Sequence, residues 1–357
     1  MIVELKDVCN KDTSNIRQKD IIDKSGDYPI YGASGLVGNV NFYQQEKESV
    51  AVVKDGAGIG RVMLLPAKAS IIGTMQYLIP KENILPEYLY YAVRNMHLEK
   101  YYSGATIPHI YFKDYQKEKI NLVSLTQQRE IVTLFNSIEN AINKKKNELS
   151  KLDTLIKARF VEMFGDIKNN QKYNYKQISS FTNVVSGGTP KRDVKEYWDN
   201  GTIPWVKTTE LKNKKVNSTE EYITKSGLQN SSAKLVPAHT ILIAMYGQGK
   251  TRGMTAYLEK EAATNQACAC ILPSSNINSE YLWQYFIMSY NELRNMAKGG
   301  NQPNLNSRII KNFPVLYPPV SLQNKFASFV QQVDKSKVVN NLIMKYIISI
   351  DFICSLI

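Results

Sequence analysis

The chain has 357 residues, of which 43% are hydrophobic and 22% charged, a balance that is typical of a folded protein and excludes a largely disordered one. This length exceeds one ordinary domain and predicts two or three units, each with its own core. The formal charge of +13 favours a polyanionic partner such as a nucleic acid. A general drift towards basic composition would give the same charge, so the charge alone does not establish that partner.

The four cysteines are scattered, and only Cys268 and Cys270 are close together. One C-x-C pair without a nearby histidine is poor zinc-ligand spacing, and the alternation in Ala-Cys-Ala-Cys-Ile favours a strand that buries small side chains. Reduced thiols without a recognisable signal peptide predict a cytoplasmic protein. Residues 342–357 are the most apolar stretch, but they include Lys345 and Asp351 and are too few to span a bilayer, so we expect no membrane segment.

The sequence repeats itself. Residues 103–140 align without a gap to residues 298–335, at an offset of 195. The offset pairs residues of the same type: Gly104 with Gly299, Pro108 with Pro303, and Gln128 with Gln323. Further upstream, the tripeptide EYL occurs at residues 87–89 and again at residues 280–282. The repeat predicts a globular part and a helix, followed by a second globular part and a second helix.

Each repeat ends in a long predicted helix. The first covers about Thr126 to Met163, with apolar residues in alternating steps of four and three at Ile131, Phe135, Ile138, Ile142, Leu149, Leu152, Ile156 and Met163. Lys145 and Arg159 occupy the two remaining positions of this seam, and the second helix, about residues 321–357, has a less regular seam. The period favours two helices in an antiparallel coiled coil with approximate two-fold symmetry. One long amphipathic helix lying on a globular core is the alternative.

The remaining sequence predicts a mixed α/β (α+β) fold. Short runs such as Val50–Lys54 and Thr240–Met245 are broken by Gly, Pro and Asn clusters, as strands and turns are. The segments Glu87–Tyr101 and Glu280–Met296 are expected to be helical. The predicted organisation is a first globular domain at 1–122, a helical spacer at 123–165, a second globular domain at 166–318 and a second helical spacer at 319–357.

Motifs for catalysis are not recognisable. The segment GQGKT at 247–251 resembles the end of a phosphate loop, but Ala244 stands where that loop requires its first glycine. The histidines His97, His109 and His239 have no carboxylate or cysteine at catalytic or metal-binding spacing. We therefore expect no catalytic residue, no metal ligand and no cofactor in the chain itself.

Basic, amide and aromatic residues that suit DNA lie in predicted loops. Glycines at 247 and 249 allow close backbone approach beside side chains that can contact phosphates and base edges. The candidates in the second globular part are Lys207, Thr208, Lys212, Lys214, Lys215, Tyr246, Gln248, Lys250, Arg252, Asn265 and Gln266. The sparser candidates in the first part are Tyr31, Ser34, Lys54, Arg61 and Gln76. A solvated loop at 212–215 and a buried turn at 265–266 explain their residues equally well.

An ordered set of motifs resembles type I restriction-modification specificity subunits. In the second half these are S-G-G-T-P (186–190), I-P-W-V-K-T (203–208), Y-G-Q-G-K-T-R-G (246–253), T-N-Q-A-C (264–268) and G-G-N-Q-P-N-L (299–305). In the first half they are Y-P-I-Y-G-A-S-G (28–35), D-G-A-G-I-G (55–60) and G-T-M-Q-Y-L-I-P (73–80). The resemblance covers essentially the whole chain, and its specificity comes from the order of the motifs together with the repeat.

The resemblance implies two target-recognition domains that each read one part of a bipartite, asymmetric double-stranded DNA site, with the paired helices as a spacer. It also implies two DNA methyltransferase (modification) subunits that bind S-adenosylmethionine, and restriction subunits that use ATP and Mg²⁺. The chain itself would be non-catalytic. The first repeat departs from the second by having Val123-Ser124 in place of Pro318-Pro319. The alternatives are a specificity subunit of a type II fused restriction–methyltransferase system and a protein-binding coiled-coil scaffold.

Overall fold

The computed structural model describes residues 1–21, 25–104, 107–247, 249–297 and 303–354, with the side chains of the last helix described to residue 348. The chain forms two compact units. Unit 1 comprises Met1–Lys146 and the residues from Asn341 onward, and unit 2 comprises Asn147–Asn340. Both boundaries fall inside long helices, so each unit contains one globular part and a segment of each long helix.

Unit 1 is built from short strands and helices, as predicted from the Gly, Pro and Asn clusters that interrupt its apolar runs. Its strands are β1 (Ile2–Glu4), β2 (Cys9–Thr13), β3 (Tyr28–Gly32), β4 (Gly35–Val40), β5 (Ser49–Val53), β6 (Val62–Leu65), β7 (Ser70–Ile71), β8 (Met75–Pro80) and β9 (Lys119–Asn121). Its helices are α1 (Leu5–Val8), α2 (Pro86–Asn95) and α3 (Phe112–Tyr115), and the long helix α4 (Leu125–Phe164) begins here and ends in unit 2. Single 3₁₀ turns lie at Gln18–Ile21 and Leu98–Tyr101.

Unit 2 has the same kinds of element. Its strands are β10 (Tyr175–Gln177), β11 (Val184–Ser186), β12 (Ile203–Val206), β13 (Lys214–Val216), β14 (Glu221–Ile223), β15 (Ile241–Ala244), β16 (Thr255–Leu258), β17 (Ala263–Thr264), β18 (Cys268–Ile271) and β19 (Pro314–Leu316). Its helices are α5 (Lys225–Gln229), α6 (Ser279–Met288), α7 (Tyr290–Asn295), α8 (Ser307–Lys311) and the long helix α9 (Val320–Cys354), which ends in unit 1. Its 3₁₀ turns lie at Ile178–Ser180, Lys195–Tyr197 and Thr208–Glu210.

The two units share one strand topology. In unit 1 the sheets have the orders β2-β8-β5-β6 and β4-β3-β7, and β1 pairs with β9. In unit 2 they have the orders β11-β18-β15-β16-β13 and β14-β12-β17, and β10 pairs with β19. The pairs β3–β7 and β12–β17 are both parallel. Each strand of unit 1 has a counterpart in unit 2. Unit 2 adds β13, which follows β12 in the chain and pairs with β16 at the edge of the larger sheet. The sequence repeat therefore corresponds to a structural one.

The central strand of each unit is covered on both faces. β5 is buried along its whole length, and its alternate residues Val50 and Val52 pack with Leu89 and Val93 of α2. The side chains between them, including Ala51, face the opposite cluster. The counterpart strand β15 is buried in the same way and divides its residues between two clusters. This double burial explains why both strands are apolar runs without polar alternation.

A buried glutamine fixes the first turn of α4 to the globular part of unit 1. Gln128 has no solvent exposure. Its Oε1 accepts a hydrogen bond of 2.8 Å from the backbone N–H of Leu85, the residue that caps α2. Its Nε2 donates to the carbonyls of Val123 and Asn83, at 2.9 and 3.0 Å. One side chain therefore satisfies backbone groups of two segments where α4 begins.

Gln323 makes the counterpart bonds in unit 2. It is also fully buried, and its Oε1 accepts from the N–H of Asn278, which caps α6, at 2.8 Å. Its Nε2 donates to the carbonyl of Pro318 at 2.8 Å. Because Pro318 and Val123 supply the same acceptor, the sequence difference at this point of the repeat leaves the joint unchanged.

The long helices run antiparallel where they pack together in unit 2. Oδ1 of Asp153 in α4 lies 2.7 Å from Nζ of Lys337 in α9. Nearer the end of α4, the ring centroid of Phe160 lies 5.4 Å from that of Phe326, which is nearer the start of α9. Partners therefore move backwards along α9 as α4 advances. The predicted mixed fold with two long helices is confirmed.

The seam of α4 differs from the predicted one at its C-terminal end. The fully buried positions are Phe160 and Phe164, while Met163 is only partly buried and Arg159 lies beside the ring of Phe329. Phe160 also stacks on Tyr281 of α6, at 5.7 Å between ring centroids. The helix thus contacts α6 as well as α9, which widens its buried stripe and replaces the 3.5-residue period with steps of four.

The strand predicted at Ala267–Ile271 is confirmed as β18, in which both cysteines are buried. Burial raises the pKa of Cys268, and it raises the pKa of Cys270 to about 11, so both remain protonated thiols near neutral pH. None of the helices in the described part of the chain combines the length and the hydrophobicity that a bilayer crossing requires.

We expect Gln323→Ala to destabilise the protein by about 1–3 kcal/mol, because it leaves the buried carbonyl of Pro318 and the partly buried N–H of Asn278 without partners. Gln331→Ala is the matched control, since Gln331 lies on the same helix and is exposed. Urea unfolding followed by circular dichroism measures both variants. Equal midpoints for the two variants would contradict the structural role of Gln323.

Candidate nucleic-acid interface

Five loops meet at one edge of unit 2. Backbone N–H groups of Asn265, Met245 and Leu305 donate to the carbonyls of Val206, Ala267 and Met245, at 3.2, 2.8 and 3.0 Å respectively. These bonds join residues that are 22 to 60 positions apart in sequence. We call this surface the loop edge of unit 2; its described residues are 187–192, 207–210, 246–247, 249–253, 265–267 and 303–306. The motifs at 186–190, 203–208, 246–253 and 264–268 all contribute residues to it.

Unit 1 has an equivalent edge with the same backbone bonds. The N–H groups of Ile72, Lys54 and Ile110 donate to the carbonyls of Tyr31, Thr74 and Lys54, at 2.9, 3.0 and 2.9 Å. Each bond corresponds to one in unit 2 by its place in the topology. Ile72 and Asn265 follow β7 and β17, Lys54 and Met245 follow β5 and β15, and Ile110 and Leu305 are related by the offset of 195. The loop edge of unit 1 consists of residues 33–34, 54–61, 72–74 and 108–111. The scaffold of the edge is therefore duplicated, although its side chains differ.

Close backbone approach explains the glycines of the S-G-G-T-P motif. A Cβ on Gly187 would lie 2.1 Å from Oγ1 of Thr264, and a Cβ on Gly188 would lie 2.2 Å from the backbone of Ser232. The carbonyl of Gly188 accepts a hydrogen bond of 3.0 Å from the indole of Trp205. The motif thus fixes the loop that presents residues 189–192 at the edge.

The loop after β15 is held in place from α7. Arg294 donates to the carbonyls of Gly249 and Arg252 at 2.8 and 2.6 Å, and the hydroxyl of Tyr290 donates to the carbonyl of Lys250 at 2.6 Å. Gly247 and Gly249 have φ angles of 142° and 57°, which only glycine adopts without strain. The side chains of Tyr246 and Lys250 are exposed on this fixed loop.

The remaining candidates of the loop edge of unit 2 divide into exposed and inward-facing residues. Gln266 is exposed and accepts a hydrogen bond from Thr189. Arg252 donates instead to the carbonyl of Pro303, within the protein. Asn265 is half-buried, and among the described residues its Oδ1 has no hydrogen-bond partner. Gln248 lies outside the described residues.

Lys207 is bound to acidic neighbours. Its Nζ lies 2.8 Å from Glu221 and 2.9 Å from Glu220. The hydrogen bond with Glu221, followed by that with Glu220, raises the pKa of Lys207. Its charge is thereby compensated, and a phosphate would have to compete with two carboxylates. The adjacent Thr208 is half-buried and begins a 3₁₀ turn.

The lysines at 212–215 lie on and beside the inserted strand β13. Lys212 and Lys214 are exposed. Lys215 points the other way, and its Nζ lies 3.1 Å from Glu280 of α6 and 2.8 Å from Asp334 of α9. Burial disfavours its charge, but the hydrogen bond to Asp334 and the field of Glu280 outweigh burial and raise the pKa of Lys215. Lys215 therefore links β13 to the helices.

The candidates of unit 1 also divide. Tyr31 is half-buried at a bulge in β3, whereas Ser34 and Arg61 are exposed, and Arg61 donates to the carbonyl of Ala33 in the turn that holds Ser34. Lys54 is partly exposed beside Asp55. Gln76, with 3% exposure, donates to the hydroxyl of Tyr115 at 2.6 Å, so its role in this structure is internal.

Sequence reasoning missed the residues that hold these loops. Nδ1 of His109 lies 2.6 Å from the carboxylate of Asp55, which fixes two loops of the unit 1 edge to one another. Tyr290 and Arg294 have the same function in unit 2. The spacing of Tyr290 and Arg294 places both on one face of a helix, but that signal is common to surface helices. No group of three or more His, Cys, Asp or Glu residues suited to a metal ion occurs in the described part of the chain.

Fold and site together define a duplicated mixed α/β protein with a polar loop edge on each unit. The sequence profile described as "Type I restriction modification DNA specificity domain" matches residues 1–151 and 170–344. The chain belongs to this family.

Individual relatives agree with the profile. The chain is 28% identical over 163 residues to the "Type I restriction enzyme EcoR124I/EcoR124II specificity subunit" of Escherichia coli, a match that covers 45% of this chain and 40% of the relative. It is 24% identical over 309 residues to the "Type I restriction enzyme MjaIX specificity subunit" of Methanocaldococcus jannaschii, covering 80% of this chain and 70% of the relative. The chain thus spans less than half of the first relative's length.

Among solved structures, the type I restriction-modification S subunit from M. genitalium superposes with a TM-score of 0.64 at 14% identity, covering 99% of this chain and 94% of that one. A chain from a study of complex assembly and conformational transition of the type I R-M system gives a TM-score of 0.59 at 13% identity, covering 99% and 96%. At these identities the likeness shows a shared fold.

Two adjacent lysines of β13 give a matched test. We expect Lys215→Ala to destabilise the protein by on the order of 2 kcal/mol, because it leaves the buried carboxylate of Glu280 without its cation; partial exposure of the lysine reduces this cost. Lys214→Ala should change stability by less than about 0.5 kcal/mol, since its side chain is exposed. Thermal and urea unfolding measure both. A reversed order of the two effects would contradict the assigned orientation of β13.

Proposed function

We propose that the chain is the DNA sequence-specificity subunit of a type I restriction-modification complex and reads a bipartite, asymmetric site in double-stranded DNA. Each loop edge reads one part of that site. The chain performs no catalysis itself and acts in the cytoplasm, where it positions two DNA methyltransferase subunits that bind S-adenosylmethionine and restriction subunits that use ATP and Mg²⁺. Family membership supports this role, and the duplicated loop edge is the observation that carries it.

The recurrence of the edge supports a bipartite site. The same three backbone hydrogen bonds join the loops in both units, so the chain presents two sets of loops on one scaffold. The exposed side chains differ: Tyr246, Lys250 and Gln266 in unit 2 against Ser34 and Arg61 in unit 1. Equal scaffolds with unequal side chains suit a reader whose two half-sites differ in sequence.

Exposed apolar side chains on α9 support the positioning of other subunits. They are Val338, Val339, Leu342, Ile343, Tyr346 and Ile348, with exposures from 39% to 70%. Val338 and Val339 belong to unit 2 and the other four to unit 1, and exposed apolar side chains of this kind are typical of protein-binding surfaces. The long helices would therefore contact partner proteins while the loop edges contact DNA.

Phosphate contact and base contact are separable in unit 2. We expect Lys250→Ala to weaken specific and non-specific DNA binding about equally and to reduce the slope of log Kobs against log salt by about 1, because it removes one phosphate neutralisation. Fluorescence anisotropy on the assembled complex at several salt concentrations measures the slope. Lys260→Ala is the control, since Lys260 is exposed beyond the opposite end of β16. Equal slopes for wild type and Lys250→Ala would remove Lys250 from the interface.

Gln266→Ala should instead relax discrimination at one base pair, by about 1–3 kcal/mol, because an amide that contacts a base edge is lost. The same assay, with a panel of DNA duplexes substituted one base pair at a time, measures the change. A uniform loss of affinity over the whole panel would show that Gln266 does not read a base.

A further inference from the structure

A groove of about 390 Å³ lies on unit 1 beside its loop edge. Lysines from three different elements line it: Lys11 on β2, Lys54 after β5 and Lys113 in α3. Thr13 and Tyr111 also line the groove, and the side chain of Tyr111 is 50% exposed. Because these residues are far apart in sequence, their convergence is a product of the fold.

The groove is electropositive. Among the described residues that line it, Asp55 is the one carboxylate against three lysines. That carboxylate is itself engaged, since it lies 2.6 Å from Nδ1 of His109 and 3.9 Å from Nζ of Lys54. The side chains of Lys11 and Lys113 are exposed, and Nζ of Lys113 lies 5.4 Å from the centre of the Tyr111 ring, which also lines the groove.

The repeat provides an internal comparison. Lys11 pairs with Leu78 and corresponds to Val184, which pairs with Ile271 in the counterpart strands. Lys54 corresponds to Met245, because each follows the central strand of its unit. The carbonyl of Lys54 accepts a hydrogen bond from Ile110, as that of Met245 does from Leu305. Two of the three lysines are thus apolar in unit 2, whereas the third, Lys113, corresponds to the exposed Arg308 at the offset of 195.

The counterpart space in unit 2 is closed by direct contacts. Oγ of Ser186 lies 3.0 Å from Oγ of Ser307, which in turn lies 3.8 Å from Sδ of Met245. Ser307 stands where the repeat offset places Phe112 of unit 1. In unit 2 these contacts join the residues that correspond to part of the groove lining, and two of the three groove lysines have no basic counterpart there.

We propose that this groove binds a backbone phosphate of duplex DNA and anchors unit 1 on the DNA independently of base sequence. The inference rests on the proposed function and adds a site to it. Lysines act as point charges that suit a phosphate, and the exposed ring of Tyr111 offers an apolar surface to the flanking sugar. The counterpart positions in unit 2 carry one of these three charges, that of Arg308.

The test uses the assembled complex and the double variant Lys11→Ala/Lys113→Ala. We expect the slope of log Kobs against log salt to fall by about 0.9 for one lost phosphate contact, with the preference for specific over non-specific DNA unchanged. Lys11→Arg/Lys113→Arg should keep the wild-type slope, because charge is retained. Lys117→Ala removes an exposed lysine outside the groove and should leave the slope unaltered. Thermal unfolding midpoints confirm that all variants are folded.

An unchanged slope for the double alanine variant, in a complex whose wild type binds its site specifically, would overturn the inference alone. A change in the preferred base would also overturn it, since a phosphate site carries no base information. Titration with ATP tests whether the groove binds the phosphate of a free nucleotide instead. If ATP binding depends on Lys11 and Lys113 while the salt dependence of DNA binding is unchanged in the double alanine variant, the assignment to DNA is overturned. A wild-type complex without sequence-specific binding would instead contradict the proposed function itself.

Discussion

The architecture depends on one buried amide in the first turn of each long helix. Gln128 and Gln323 bond the backbone that caps α2 and α6, respectively, and each also bonds the backbone from which its long helix emerges. A buried backbone group without a partner costs about 1–3 kcal/mol, so an apolar residue at either position would leave such groups unsatisfied. An exposed polar residue would not fix the direction in which the helix leaves. The amide does both, because it is donor and acceptor at once.

The loop edges show how one scaffold can carry two different sets of exposed side chains. Each edge is held by backbone hydrogen bonds and by a few side chains such as His109 and Arg294, with glycine required at points of close approach such as Gly187. The side chains that project from the edge are then nearly unconstrained by folding. This separation is why unit 1 and unit 2 can carry different residues at matched positions. The groove of unit 1 is an example of this divergence, because two of its three lysines correspond to apolar residues in unit 2.

The sequence was sufficient for features that repeat or follow a period. The offset of 195 predicts the duplication, and apolar runs predict β5 and β15 because double burial requires them. The seam at the end of α4 is not predictable in this way, since Phe160 is buried by α6, an element remote in sequence. The sequence also cannot show which of the adjacent lysines Lys214 and Lys215 is exposed, because the orientation of β13 decides which of them contacts Glu280. Gln76 is similar, since only the fold brings it to Tyr115.

The central claim is that each loop edge reads its own part of a split DNA site. The most direct measurement is methylation-sensitive sequencing of genomic DNA modified by this chain together with its methyltransferase partner, first as wild type and then with the exposed residues Tyr246, Lys250 and Gln266 replaced together. The account predicts adenine methylation within a two-part motif, and an alteration of one part only in the variant. Methylation without sequence preference, or a simultaneous change of both parts, would contradict it.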